Sequence, residues 1–161
     1  MNNADKHAIL FVCLGNICRS PMAECVFRDI VERHGAQDRF EVDSAGILSY
    51  HQGEQPDRRM REMAYAHGYR LIHASRPVCY DDYERFDLII GMDDSNIDAL
   101  REKAPTLEAS ERIHRISEFF DPDTPYDHIP DPYYGGTEGF ALTLTLLRQA
   151  CHNLFLHLTQ P

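Results

Sequence analysis

Five consecutive apolar residues, Ala8-Ile9-Leu10-Phe11-Val12, run without interruption into Cys13-Leu14-Gly15-Asn16-Ile17-Cys18-Arg19-Ser20-Pro21-Met22-Ala23. A short unbroken apolar run bounded by turn-forming residues is the pattern of a strand covered on both faces. Helical spacing follows: Ala23, Val26, Phe27 and Ile30 recur on one face of a segment over 21–34 that Gly35 can end. The chain is thereby committed to a buried strand that opens through a short loop into a helix N-terminus. Anions bind at such junctions.

The residues of the loop suit an anion. Five residues separate Cys13 from Arg19, enough to wrap a tetrahedral group with backbone N–H groups pointing inward as a nest. Gly15 permits a left-handed or closely approached backbone, and Asn16 also tolerates positive φ and could brace the loop. Arg19 offers a planar fork that matches two phosphate oxygens. Ser20 either caps the helix or donates to the Cys13 sulfur, and Pro21 suits the first helical position. A helix N-terminus and a neighbouring arginine both favour the thiolate form of a cysteine, the form that attacks phosphorus. The string lacks the Gly-Lys-Ser/Thr ending of a Walker-type nucleotide loop.

The rest of the chain alternates. Strands are predicted at 8–13, 40–44, 86–90 and 113–119. Helices are predicted at 21–34, at 56–67 between Pro56 and Gly68, at 78–84, at 94–103 and at 137–158. The stretch 121–136, with four prolines and two glycines, reads as a long irregular loop of the kind that carries function. Such alternation implies a parallel sheet joined by right-handed crossovers. The expected fold is a single α/β domain over 1–161: a four-stranded parallel sheet with helices on both faces and a phosphate-binding loop between the first strand and the first helix. Ligands then bind beyond the carboxyl ends of the strands, where Cys13, Ser44 and Gly91-Met92-Asp93 would meet. Asp93 either orients Arg19 or caps the next helix with Asn96.

Together with Asp43-Ser44-Ala45-Gly46, Ile72-His73-Ala74-Ser75-Arg76, Gly91-Met92-Asp93 and Asp131-Pro132-Tyr133-Tyr134, the N-terminal loop resembles the low-molecular-weight protein tyrosine phosphatases over nearly the whole chain. The resemblance implies a phosphotyrosine protein phosphatase that hydrolyses aryl phosphate monoesters through a phosphocysteine. Cys13 would be the nucleophile, Arg19 the phosphate clamp and Asp131 the general acid and base, with Pro132 restricting the pose of Asp131. Leu14, Gly15, Asn16, Ile17, Cys18 and Ser20 would surround the phosphate, Leu14 and Ile17 as pocket walls. Asn16, Ser20, Ser44 and His73 would form the hydrogen-bond network that supports the loop. Tyr133 and Tyr134 match the aromatic rim that stacks on a substrate ring, and Tyr50 falls near the specificity loop. By resemblance Cys18 is the redox partner of Cys13 in a reversible disulfide; by residue chemistry alone it is equally a small apolar residue of the first helical turn.

The implied substrate is a phosphotyrosine-containing protein or a small phosphate monoester, with inorganic phosphate as product. Two other readings stand beside it. A thiol-dependent arsenate reductase resembles this loop but needs two further cysteines close together downstream, where only Cys79 lies. A non-catalytic phosphotyrosine-binding module would not need Cys13, Arg19 and Asp131 together.

At 161 residues the chain suits one core. Its 26 acidic against 16 basic residues, a net charge of −10, argue against nucleic acid or an anionic membrane as partner. Attraction of a phosphate must therefore be local, since salt screens distant carboxylates beyond about 8–10 Å. Five cysteines without a paired framework point to a reducing, cytoplasmic location, and Cys25, Cys79 and Cys151 read as buried small hydrophobes. The first twenty residues lack the pattern of a secretory peptide, and no stretch has the length of a membrane span. His67, His114, His128, Cys151 and His152 miss zinc-ligand spacings, and Asp121-x-Asp123 lacks the rest of a calcium loop, so neither metal nor cofactor is expected. No pattern bears on oligomeric state.

Overall fold

The computed structural model describes residues 6–134 and 136–160, with Tyr134 by its backbone alone. Along the chain run β1 (His7–Cys13), α1 (Arg19–Arg33), β2 (Phe40–Gly46), α2 (Arg58–Ala66), α3 (Tyr80–Arg85), β3 (Leu88–Gly91), α4 (Asp94–Lys103), α5 (Leu107–Ser110), β4 (Ile113–Arg115) and α6 (Thr137–Thr159). The four strands form one sheet in the order β2-β1-β3-β4, with every pairing parallel.

Period two along β1 explains its unbroken apolar run. Ile9, Phe11 and Cys13 face a core built with α1, α2 and α6, in which Met22, Phe27, Met60 and Leu147 are fully buried. Leu10 and Val12 face the other way, onto Tyr83 of α3 and Ile97 and Leu100 of α4. Both faces of the strand are covered from Ile9 to Cys13, so no position there has a reason to be polar. Phe27 fills the larger core without exposure, and its truncation to alanine should cost about 3–5 kcal/mol.

Local chemistry sets the ends of the elements. Gly35 and Gly68 take φ of +63° and +86° just after α1 and α2, the left-handed conformation that closes a helix. Asp57 rather than Pro56 opens α2, accepting Arg59 N at 2.8 Å as an N-cap does. α1 starts at Arg19, so Pro21 is its third residue and not its first. Its missing N–H still falls within the first turn, where no intrahelical acceptor is available.

Two further expectations are corrected. The fourth strand does not extend over 113–119: it ends at Arg115, and a 3₁₀ turn covers Ile116–Phe119. Glu118 accepts Arg115 N at 2.7 Å, and this local bond turns the backbone away from the ladder. Cys79 is exposed at the N-terminal edge of α3 and Cys25 is half-buried, so of those three cysteines only Cys151 is a buried hydrophobe.

β1 lies between β2 and β3, so connections leave it in opposite directions and a crevice opens at its carboxyl end. Cys13 pairs in register with Gly46 there. A Cβ on Gly46 would come within 3.0 Å of both Asn16 Cβ and the Leu14 carbonyl oxygen. The bare backbone at this position is what lets β2 close against the loop. Among the described residues no helix is long and apolar enough to cross a membrane.

Candidate active site

The loop between β1 and α1 wraps the crevice. Asn16, not Gly15, takes the left-handed conformation, with φ of +57°. Gly15 supplies room instead: a Cβ there would meet His51 Cδ2 at 3.0 Å. No side chain caps α1, which leaves its first N–H groups available to an anion in the loop.

Polar side chains beneath the loop are buried and mutually bonded. Ser20 Oγ lies 3.0 Å from Cys13 Sγ and 3.3 Å from the Ala45 carbonyl oxygen, its two possible acceptors. Asn16 Nδ2 donates to Ser20 Oγ at 2.8 Å and to Ser44 Oγ at 3.1 Å. Asn16 Oδ1 accepts Arg76 N at 3.0 Å and lies 2.8 Å from His73 Nε2. An amide oxygen only accepts, so Nε2 carries the proton in this contact. Ser44 Oγ donates to Glu24 Oε1 at 2.8 Å. The amide of Asn16 therefore holds its own strained backbone by four bonds to three other segments of the chain.

Arg19 is 2% exposed. Its Nη1 donates to Asp93 Oδ2 at 2.7 Å and to the Ile129 carbonyl at 2.9 Å, and its Nη2 stands 3.6 Å from Asp131 Oδ2. Burial works against the guanidinium charge, but Cys13, Asp93 and Asp131 outweigh it and hold Arg19 above the ordinary arginine range. Asp93 serves both roles open to it, since its Oδ1 accepts Asn96 N at 2.9 Å. Asp131 comes from the irregular loop, and its Oδ1 accepts Tyr133 N at 2.9 Å.

A cavity of about 340 Å³ opens above these groups, with Cys13, Cys18 and Arg19 at its base and Asp131 on its side. Leu14 and Ile17 line the wall, and Leu48, Tyr50, His51 and Tyr133 form the mouth. Tyr50 is 84% exposed, with its ring edge-on to His51 at 4.8 Å between centres. Cys18 is buried, and that burial pushes its thiol up, with Asp57 and Cys13 adding to the effect. The side chain of Tyr134 lies outside the described residues.

Glu24, Leu48, His51, Arg59 and Arg76 belong to this site or its support without having been singled out from the sequence. Glu24 had a signal, because it follows Ser20 by one turn on the same face of α1. The others are brought in from distant segments. Glu24, Asp43 and His73 place one ligand atom each within 4.8 Å of one another, but both carboxylates already accept guanidinium N–H groups, from Arg28 and Arg76.

The profile of the low molecular weight phosphotyrosine protein phosphatases matches residues 8–161. A low molecular weight protein-tyrosine-phosphatase of Streptomyces coelicolor is 41% identical over 150 residues, covering 92% of this chain and 91% of that protein. A protein tyrosine phosphatase from Entamoeba histolytica superposes with a TM-score of 0.91 at 40% identity, covering 95% of this chain and 97% of that one. An arginine phosphatase of Drosophila superposes with a TM-score of 0.88 at 32% identity, covering 94% and 98%. The chain belongs to the low molecular weight phosphotyrosine protein phosphatase family and is an enzyme of the protein tyrosine phosphatase class.

Proposed function

We propose that this enzyme hydrolyses aryl phosphate monoesters, phosphotyrosine foremost, with Cys13 as nucleophile, Arg19 as phosphate clamp and Asp131 as general acid and then base. The observation that carries the reading is the convergence of these three side chains, two from the ends of the loop between β1 and α1 and one from the distant irregular loop, on one cavity of about 340 Å³.

In the first step the Cys13 thiolate attacks phosphorus in line. The S–P bond forms as the P–O bond breaks, and the Asp131 carboxyl gives its proton to the departing phenolate. In the second step water attacks the phosphocysteine and gives a proton to the Asp131 carboxylate. The S–P bond breaks, and phosphate and the thiolate are released. The three equatorial oxygens are met by the Arg19 fork and the N–H groups of the loop, and charge stabilisation there supplies most of the rate. Ser20 steadies the sulfur and, with Asn16, Ser44 and His73, holds the loop open.

The rim of Leu48, Tyr50, His51 and Tyr133 favours a flat aromatic leaving group that can reach the buried sulfur. Cys18, in the same cavity, serves as the resolving thiol: a sulfenic acid formed on Cys13 by peroxide condenses with the Cys18 thiol to a disulfide and water. Five free thiols suit a reducing cytoplasm, and residues 1–161 act as one catalytic unit.

Cys13→Ser tests the reading. It should lower turnover of p-nitrophenyl phosphate about 10⁴-fold or more while still binding vanadate, whereas substantial residual turnover would overturn the assignment. Phosphotyrosyl, phosphoseryl and phosphoarginyl peptides assayed side by side should rank in favour of phosphotyrosine.

A further inference from the structure

We propose that Arg59 is a positioning residue for proton transfer, tying the turn that carries Asp131 to the phosphate loop through Asp57 on one side and Tyr133 on the other. The inference rests on the reading of Asp131 as the general acid.

A proton donor must lie within about 2.6–3.2 Å of the leaving oxygen, yet Asp131 sits in irregular chain. Its carboxylate is bonded locally to Tyr133 N at 2.9 Å, so whatever holds the Tyr133 peptide also holds the acid. Arg59 does this. Its Nη2 donates to the Tyr133 carbonyl at 2.9 Å, and its guanidinium lies 5.6 Å from the centre of the Tyr133 ring. The same guanidinium packs 4.7 Å from the centre of the Phe140 ring, which is buried at the start of α6.

The adjoining edge of the fork, sharing Nη2, faces Asp57, which is bonded to the phosphate loop. Arg59 Nε and Nη2 each lie 3.2 Å from an oxygen of Asp57, and Asp57 N donates to the Ile17 carbonyl at 2.7 Å. A continuous path therefore runs from the phosphate loop through Asp57, Arg59 and Tyr133 to Asp131. The neighbouring Arg58 shows what an arginine here does by default: it turns outward and pairs with Glu62 at 2.9 Å. Arg59 instead spends a planar set of donors on two segments and its face on a third. Lysine, with a single ammonium, cannot reproduce that geometry.

The experiment compares Arg59→Met and Arg59→Lys, each with and without Asp131→Asn, on p-nitrophenyl phosphate and phenyl phosphate. Arg59→Met keeps an unbranched side chain over Phe140 and removes the donors. It should lower kcat/KM, which reports only the steps up to departure of the leaving group, about ten- to hundredfold on phenyl phosphate, the loss expected of a misplaced catalytic group, and lower it far less on p-nitrophenyl phosphate, whose leaving group needs little protonation. Inhibition by vanadate should be unchanged, and Arg59→Lys should recover only part of the loss. In the Asp131→Asn background Arg59→Met should add nothing, because the group it positions is gone. Equal losses on both substrates, or losses that persist in the Asp131→Asn background, would overturn the proposal and leave the general acid standing. Asp131→Asn alone with no leaving-group dependence would overturn both.

Discussion

Arg19 and Asp93 meet at 2.7 Å through one carboxylate oxygen, while the other oxygen of Asp93 caps α4 by accepting Asn96 N at 2.9 Å. One side chain thus starts a helix on one face of the sheet and fixes the Arg19 fork at its edge. α4 follows β3 directly, so its cap lies at the carboxyl end of the sheet, beside the end of β1.

Asp93→Ala should remove the cap and leave the buried Arg19 short of a partner, destabilising the fold by about 2–4 kcal/mol in urea denaturation. Asparagine caps as well as aspartate, so Asp93→Asn should recover the helix cap and lose the negative charge that faces Arg19. Recovery of stability without recovery of kcat/KM would separate the two roles. Equal stability losses in the two variants would show that the cap contributes nothing.

Asn16 combines a positive φ with a fully buried amide. Asn16→Ala should cost about 2–4 kcal/mol from backbone strain and from polar groups left unpaired. Asn16→Gly relieves the strain alone. It should be the more stable variant yet still poor in kcat/KM, because Ser20, Ser44 and His73 lose their common partner.

Peroxide should inactivate the enzyme through Cys13, and inorganic phosphate should protect it. Recovery with dithiothreitol should be nearly complete in the native protein and small in Cys18→Ser, where the sulfenic acid has no resolving thiol and goes on to irreversible products. Equal recovery in the two proteins would remove Cys18 from the redox chemistry and leave it as a packing residue.

Stability should fall in alkali. Burial pushes the Cys25 thiol up to about 11, and it raises Cys18 and the fully buried Cys151 further still. A folded-state value above the unfolded one gives stability that is fully present below the ordinary thiol value of 9.0 and is lost as pH rises beyond it. From Cys151 alone the loss should approach about 1.4 kcal/mol per pH unit above that value. Urea midpoints at pH 8 and pH 10 should converge in Cys151→Ala relative to the native protein.

The architecture of the N-terminal loop was legible because strand, loop and helix are contiguous. A both-faces-buried strand, a Cys-x5-Arg loop and a helical repeat need no information from elsewhere, and the period-two packing of β1 follows from its composition. Weak local signals were read less well. The stretch 113–119 carries enough β-branched and aromatic residues for a strand, yet the bond from Glu118 to Arg115 N ends it after three residues. Cys79 looked apolar by residue type and is exposed because it sits at the edge of α3.

By itself the sequence determined the setting of Cys13, the alternation of elements and the edge of the sheet where the strands end, because each depends on neighbours a few residues apart. Only the tertiary structure decided that Asp93 both caps and clamps, that Glu24 and Arg76 stand under the loop, and that Arg59 reaches Tyr133 from 74 residues away. Those contacts join segments whose proximity is set by crossover connections and core packing, which no local spacing encodes.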